Sequence, residues 1–131
     1  MDIKEFALKY IAAQKKAWQQ GEFDDLHVLE NPDVVFHMAP LLPDEHGWEG
    51  HKQYITNARN SAAELQQDFD YITGDGNVFA LSYKVREKLA VANPVMNLPA
   101  GATINGDMIF VGRLENSKLA KMWMKGSVAT E

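Results

Sequence analysis

Cysteine does not occur anywhere in the 131 residues, so no disulfide is possible, and the composition suits a reducing compartment. Also missing is any apolar run near the roughly 20 residues that a bilayer-crossing helix needs. The opening MDIKEFALKY carries Asp2, Lys4, Glu5 and Lys9, too many charges for the apolar core of a signal peptide. Basic residues are not in excess. Thirteen Lys and Arg against 18 Asp and Glu leave a formal charge of −5, the wrong sign for a nucleic-acid footprint. Walker-type and dinucleotide-type glycine motifs are absent, as is a Gly-x-Ser-x-Gly nucleophile. These absences point to one cytoplasmic domain over residues 1–131, with no nucleic acid, no membrane and no cofactor.

What is present is a strong two-residue rhythm at the end of the chain. In the stretch Thr103 to Ser127, positions Ile104, Gly106, Met108, Phe110, Gly112 and Leu114 carry no charge. A period of two held this long marks a strand with one face against a core. Gly106 and Gly112 interrupt that face where the chain bends or another group comes close. A Glu-Asn-Ser turn joins this run to a second, in which Ala120, Met122 and Met124 share a face.

The N-terminal third has helical period. Asp2 and Glu5 have capping-box spacing, Ile3, Phe6, Ala7, Tyr10, Ile11 and Trp18 recur along one side, and Gly21 stops the run. Tyr10 and Trp18 are assigned to packing, with a cavity wall as the alternative. Phe23, Leu26 and Leu29 give a second short helix ending before Asn31-Pro32. A β-prone run covers Asp33 to Ala39, a loop Pro40 to Gly47, and a brief extended piece Gly47 to Gly50. A helix is expected from about His51 to Gln66, a strand from Phe69 to Thr73, and a hairpin turn at Gly74-Asp75-Gly76-Asn77. From Phe79 the odd positions Leu81, Tyr83, Val85, Glu87, Leu89 and Val91 form a face that is apolar but for Glu87, against Ser82, Lys84, Arg86 and Lys88. The connection Asn93 to Ala102 is long for a hairpin and apolar in its middle, which suits a flap over the mouth of a cavity.

Taken in this order, the chain resembles the nuclear transport factor 2-like superfamily, and within it the SnoaL-like group. The resemblance is carried by the opening helix to Trp18 and Gly21, NPDVVFH at 31–37, GWEGHKQYI at 47–55 and IFVGRLENSKLAKMW at 109–123, with Ser117 where Gly is usual. It implies an α+β, cystatin-like cone: a curved antiparallel sheet wrapped around the N-terminal helices, with an apolar pocket in its open end. Members include cyclases, isomerases, dehydratases, epoxide hydrolases and proteins with no activity, so the chemistry has to come from the site.

Alternation nominates Met108, Phe110, Met122 and Met124 as pocket wall, with Trp48 and Tyr54 near the mouth, a soft lining for a hydrophobic small molecule. Glu87 is the candidate acid–base group, because a carboxyl between Val85 and Leu89 loses hydration and its pKa rises. Tyr83 as donor and His37 as acid or base complete a candidate catalytic set for enolisation, dehydration or cyclisation of a carbonyl compound, that is, a lyase or isomerase. The competing account has Glu87 at a solvated rim and His37 in the core, and the protein a non-catalytic ligand-binding or interaction module. An acid four residues after the tryptophan, frequent among relatives, is Ser127 here. Asp107 and Arg113 fall on the outward face while Arg59 is on a helix, so the hydrolase Asp–Arg–Asp cluster is not carried over. His46 and His51, with Asp44, Glu45 and Glu49, match no metal-ligand spacing and are assigned to a solvated acidic loop, so no metal is expected. Ile109, Val111 and Trp123 are apolar on the side opposite the pocket and bordered by charge, which nominates a homodimer interface.

Overall fold

The computed structural model describes residues 1–131. Helices α1 (Ile3–Gln20) and α2 (Asp24–Leu29) lead into strand β1 (Glu30–His37), a two-residue strand β2 (Glu45–His46) and helix α3 (Gly47–Ser61). Four long strands follow: β3 (Ala62–Asp75), β4 (Val78–Leu89), β5 (Thr103–Glu115) and β6 (Lys118–Thr130). The six strands form one curved, unclosed sheet in the order β2-β1-β6-β5-β4-β3, with the helices on its inner side. No helix is long and apolar enough to cross a membrane.

The helix ends follow from local chemistry. The Asp2 side chain accepts from the Glu5 N–H at 2.7 Å, satisfying one free donor of the first turn. Gly21 closes α1 with φ of 71°, a left-handed conformation that a side chain disfavours. The Arg59 guanidinium reaches from α3 and donates Nε–H to the Trp18 carbonyl at 2.9 Å, adding a cation where α1 leaves its carbonyls unpaired. The buried face of α1 then sets Phe6 and Tyr10 against Phe79 of β4, with ring centroids 5.8 and 6.2 Å away. Gly112 of β5 makes this packing possible, since a Cβ there would sit 2.5 Å from the Phe79 ring.

The strand faces agree with the alternation. Phe79, Leu81, Tyr83 and Leu89 of β4 are buried, as are Ile104 and Met108 of β5 and Ala120, Met122 and Met124 of β6. Gly76-Asn77 link Asp75 to Val78 as a two-residue hairpin turn. Four local expectations are corrected. β1 begins at Glu30, not Asp33, with Asn31-Pro32 inside a ladder irregularity between Glu30 and Val35 where proline's missing donor is tolerated. Glu45–His46, expected in a loop, pairs with Val35 and Phe36. The segment Gly47–Gly50 is the first turn of α3, not an extended piece. Ala62–Gln66, expected to end that helix, instead pairs with β4 from Leu89 to Arg86. Tertiary pairing overrides the helix propensity of Ala-Ala-Glu-Leu-Gln-Gln. The sheet is also mixed, because β1 runs parallel to β6.

Candidate functional site

The sheet and helices enclose a cavity of about 640 Å³, open at one end. Met108, Phe110, Met122 and Met124 are among the residues of its wall, and Tyr54 of α3 borders it. Leu41, Leu42 and Pro43 border it from the loop before β2, and Asn93 to Met96 from the long β4–β5 connection. The four wall residues do not fill the space. Tyr10 and Trp18 pack in the core and also border the cavity, so both roles considered for these aromatics are present.

At one side of the cavity lies a chain of buried polar groups. Trp18 Nε1 donates to Gln14 Oε1 at 3.1 Å, and Gln14 Nε2 donates to the Tyr10 oxygen at 3.0 Å. The Tyr10 hydroxyl donates to Glu30 Oε2 at 2.8 Å. His51 Nδ1 lies 3.0 Å from Glu30 Oε1 and 2.9 Å from Oε2. Glu30 is 1% exposed and His51 6% exposed, so both are held away from bulk water. Burial, and secondly the neighbouring Glu30 carboxylate, push the Tyr10 pKa well above its ordinary value, which keeps its proton on the donor side. A carboxylate receiving two such donors holds the imidazole with Nδ1–H toward it, leaving the Nε2 lone pair on the other side of the ring. Nε2 has no hydrogen-bond partner in the chain and is not among the sealed polar atoms, and His51 is one of the residues that border the cavity. Phe36 packs at 4.0 Å on the imidazole and Trp48 meets it edge-on at 6.2 Å, fixing the ring plane.

A second group of polar side chains faces the cavity from β4, α3 and β2. Glu87 is half-buried between Leu65 on β3 and Ile104 on β5, and loss of hydration raises its pKa. Its carboxyl makes no hydrogen bond to Tyr83 or His37. The Tyr83 oxygen accepts instead from Gln67 Nε2 at 2.8 Å, leaving the hydroxyl hydrogen free for another acceptor. Burial pushes the Tyr83 pKa up, and burial together with Glu87 and Glu45 pushes Tyr54 up to about 12. Both phenols therefore stay protonated donors at neutral pH.

Two nominated residues lie elsewhere. His37 does not border the cavity: in β1 the even positions Val34 and Phe36 face inward and His37 faces out. There it stands 3.2 Å from Asp44 and stacks on Trp123 at 5.8 Å. Trp48 is buried behind the wall, stacked on His27 at 4.8 Å, and supports His51 without touching the cavity. Asp107 and Arg113 are outward, as the alternation required, with Arg113 over the Trp123 ring at 5.6 Å.

No family model matches the sequence, and no curated protein matches it significantly. Solved structures do match. TsrD from Streptomyces laurentii superposes with a TM-score of 0.79 at 16% identity, over 97% of this chain and 91% of that one. A protein of unknown function from Exiguobacterium, described as nuclear transport factor 2-like, gives 0.70 at 16% identity over 93% and 98%. IdmH from Streptomyces antibioticus, a candidate polyketide cyclase, gives 0.69 at 18% identity over 89% and 88%. The chain has the nuclear transport factor 2-like fold. The likeness, including that to a candidate SnoaL-like polyketide cyclase from Mesorhizobium loti, extends to the fold and stops there at such identities.

Within this nuclear transport factor 2-like cone, the pair that sequence reasoning passed over is Glu30 with His51. Glu30 stood at the end of a short helix beside Asn31-Pro32, where an acid is ordinarily solvated. His51 had been grouped with a solvated acidic loop, and its burial corrects that assignment. One signal was available. With α3 started at Gly47, Trp48, His51 and Ile55 fall on one helical face, and all three are buried.

Proposed function

We propose that the protein is a lyase or isomerase that moves a proton on a hydrophobic carbonyl compound by enolisation, dehydration or cyclisation. The observation that carries the proposal is His51, a residue bordering a largely apolar cavity, whose Nδ1 is fixed on buried Glu30 and whose Nε2 has no partner in the chain. An imidazole oriented in this way accepts a proton at Nε2 while the carboxylate stabilises the resulting cation, the arrangement general-base catalysis requires. In this proposal Tyr83, with its free hydroxyl hydrogen, and Tyr54 offer donors to the enolate oxygen. Glu87 supplies a carboxyl that touches the substrate from the same wall, while His37 has no part. The solved structures of candidate cyclases with this fold are consistent with such chemistry.

The test is hydrogen–deuterium exchange at the α-carbon of an apolar ketone such as tetralone, followed by NMR in deuterated buffer. The wild-type chain is expected to accelerate exchange, and His51→Ala to lower that rate by roughly 10²–10⁴-fold, the usual span of a general base. Exchange that is identical in both chains and in buffer sinks the proposal. That outcome favours a non-catalytic binding module, which the largely apolar lining and an otherwise complete buried Glu30–His51 pair would equally serve. We further propose that two copies of the chain associate through the convex sheet face around Ile109, Val111 and Trp123.

A further inference from the structure

The charge of the cavity wall is one-sided. Among its lining residues are two carboxylates, Glu45 and Glu87, and not one Lys or Arg. Neither carboxylate takes part in an ion pair or a side-chain hydrogen bond within the chain. Glu45 has a partial explanation: its Oε2 lies 3.5 Å from the position a Cβ would take on Gly50, against the first turn of α3, where free amide groups favour an anion. Glu87 has none. It is half-buried between Leu65 and Ile104, and the basic residues beside it in sequence, Arg86 and Lys88, belong to the opposite face of β4. Arg86 is engaged there with Glu131, by two bonds of 3.1 and 3.0 Å. Tyr54 borders the same cavity, within electrostatic reach of both carboxyls, with Trp18 edge-on at 6.1 Å.

A carboxyl that loses hydration without gaining a cation from its own protein has its counter-charge left to be supplied. The aromatic rings beside it attract cations on their faces as well. We propose that Glu87, assisted by Glu45 and Tyr54, is the binding site for the ammonium group of a hydrophobic amine, and that the ligands of this cavity are apolar amines in preference to carboxylates or phosphates. The proposal deepens the acid–base function by naming its substrate class: the apolar body fills the methionine-lined space, the reacting carbon reaches His51, and the amine stays at Glu87. An anionic ligand would meet two carboxylates and no Lys or Arg. A neutral ligand would leave Glu87 without a counter-charge.

Binding alone tests this, so the result stands apart from whether His51 transfers a proton. Phenylbutylamine, phenylbutanol and phenylbutyrate share one apolar body and differ in head group. In titration calorimetry near neutral pH the amine is expected to bind about tenfold or more tightly than the alcohol, as a charge-assisted contact allows, with the carboxylate weakest. In Glu87→Gln the amine is expected to fall to the affinity of the alcohol, which itself stays unchanged. A second measurement needs no variant. The amine preference should vanish as pH is lowered through the raised Glu87 pKa, where the carboxyl, which acts on Tyr54 and Tyr83 across the cavity, gains its proton. Equal affinity for amine and alcohol, tighter binding of the carboxylate, no amine binding at millimolar concentration, or a preference that survives both Glu87→Gln and acidification overturns the proposal. A His51→Ala chain that keeps the amine preference but loses proton exchange leaves both proposals standing. One that keeps exchange removes the general-base proposal alone.

Discussion

Glu87 and Glu30 are both acids withdrawn from water, and their surroundings give them opposite consequences. Glu30 is met by Tyr10 and His51, so its charge is answered inside the fold. Glu87 has no such partner, and lost hydration raises its pKa above the ordinary 4.5. A raised carboxyl pKa means that the folded chain binds more protons than the unfolded one between 4.5 and the raised value. Stability attributable to this group therefore falls as pH rises through that window, and the ionised form is a burden at neutral pH. Glu87→Gln removes the burden. Its Tm is expected to exceed that of the wild-type chain by roughly 1–3 °C at neutral pH. The difference should shrink to nothing as pH falls below 4.5, where the wild-type carboxyl is protonated in both states. Thermal melts of both chains across this range decide the matter, and a variant less stable than wild type at neutral pH would show that Glu87 has a stabilising partner.

Between β5 and β6 the turn places two residues with side chains in left-handed backbone, Asn116 at φ of 54° and Ser117 at φ of 64°. That is the geometry of a two-residue hairpin turn in which Asn-Gly is preferred, because glycine has no Cβ to clash with the preceding carbonyl. Ser117→Gly is expected to stabilise the chain by about 1 kcal/mol and to raise the denaturant midpoint without changing the slope. A lower midpoint would mean that the Ser117 side chain has a favourable role in the turn. The same hairpin shows what a sequence can and cannot convey. Its alternation assigned Met108, Phe110, Met122 and Met124 to the cavity, because a strand's facing is written in consecutive residues. The Glu30–His51 pair is written in two places, 21 residues apart, and exists only once α3 has packed beneath β1. The facing of His37 is not legible in the sequence, because apolar residues on both sides of it hide the period of two. The start of β3 was lost for another reason: helix-forming residues were drawn into a strand by a neighbour far along the chain.

The two sides of the sheet divide the molecule's surfaces by purpose. The inner side carries the cavity, and the convex side carries an apolar strip that is most exposed at Ile109. Ile109 is 50% exposed, Val111 is half-buried, and Val111 stands directly opposite Trp123 across the β5–β6 ladder. Trp123 is held flat between His37 and Arg113, so the strip is ordered before any partner arrives. Its border is mixed in sign, with Lys84 opposite Asp107 across the β4–β5 ladder and Lys121 and Lys125 on β6. In a two-fold pair each patch meets its own image, so a border bearing both signs can place each lysine against a partner's acid, whereas a single-sign border would repel itself. A stable pair needs about 800 Å² buried on each copy, which a face spanning three long strands can supply. Sedimentation equilibrium at micromolar concentration is therefore expected to give a dimer. Ile109→Glu places a charge at the centre of the strip and should yield a monomer with unchanged circular dichroism, since Ile109 has no role in the core. Trp123→Glu should do the same while also releasing His37 from its ring contact. A wild-type monomer, or a dimer that survives both substitutions, would leave this face without its proposed occupant. In a monomeric variant the cavity lies on the other side of the sheet from the change, so amine binding should persist undiminished, showing that association and ligand recognition are separate properties of the two faces.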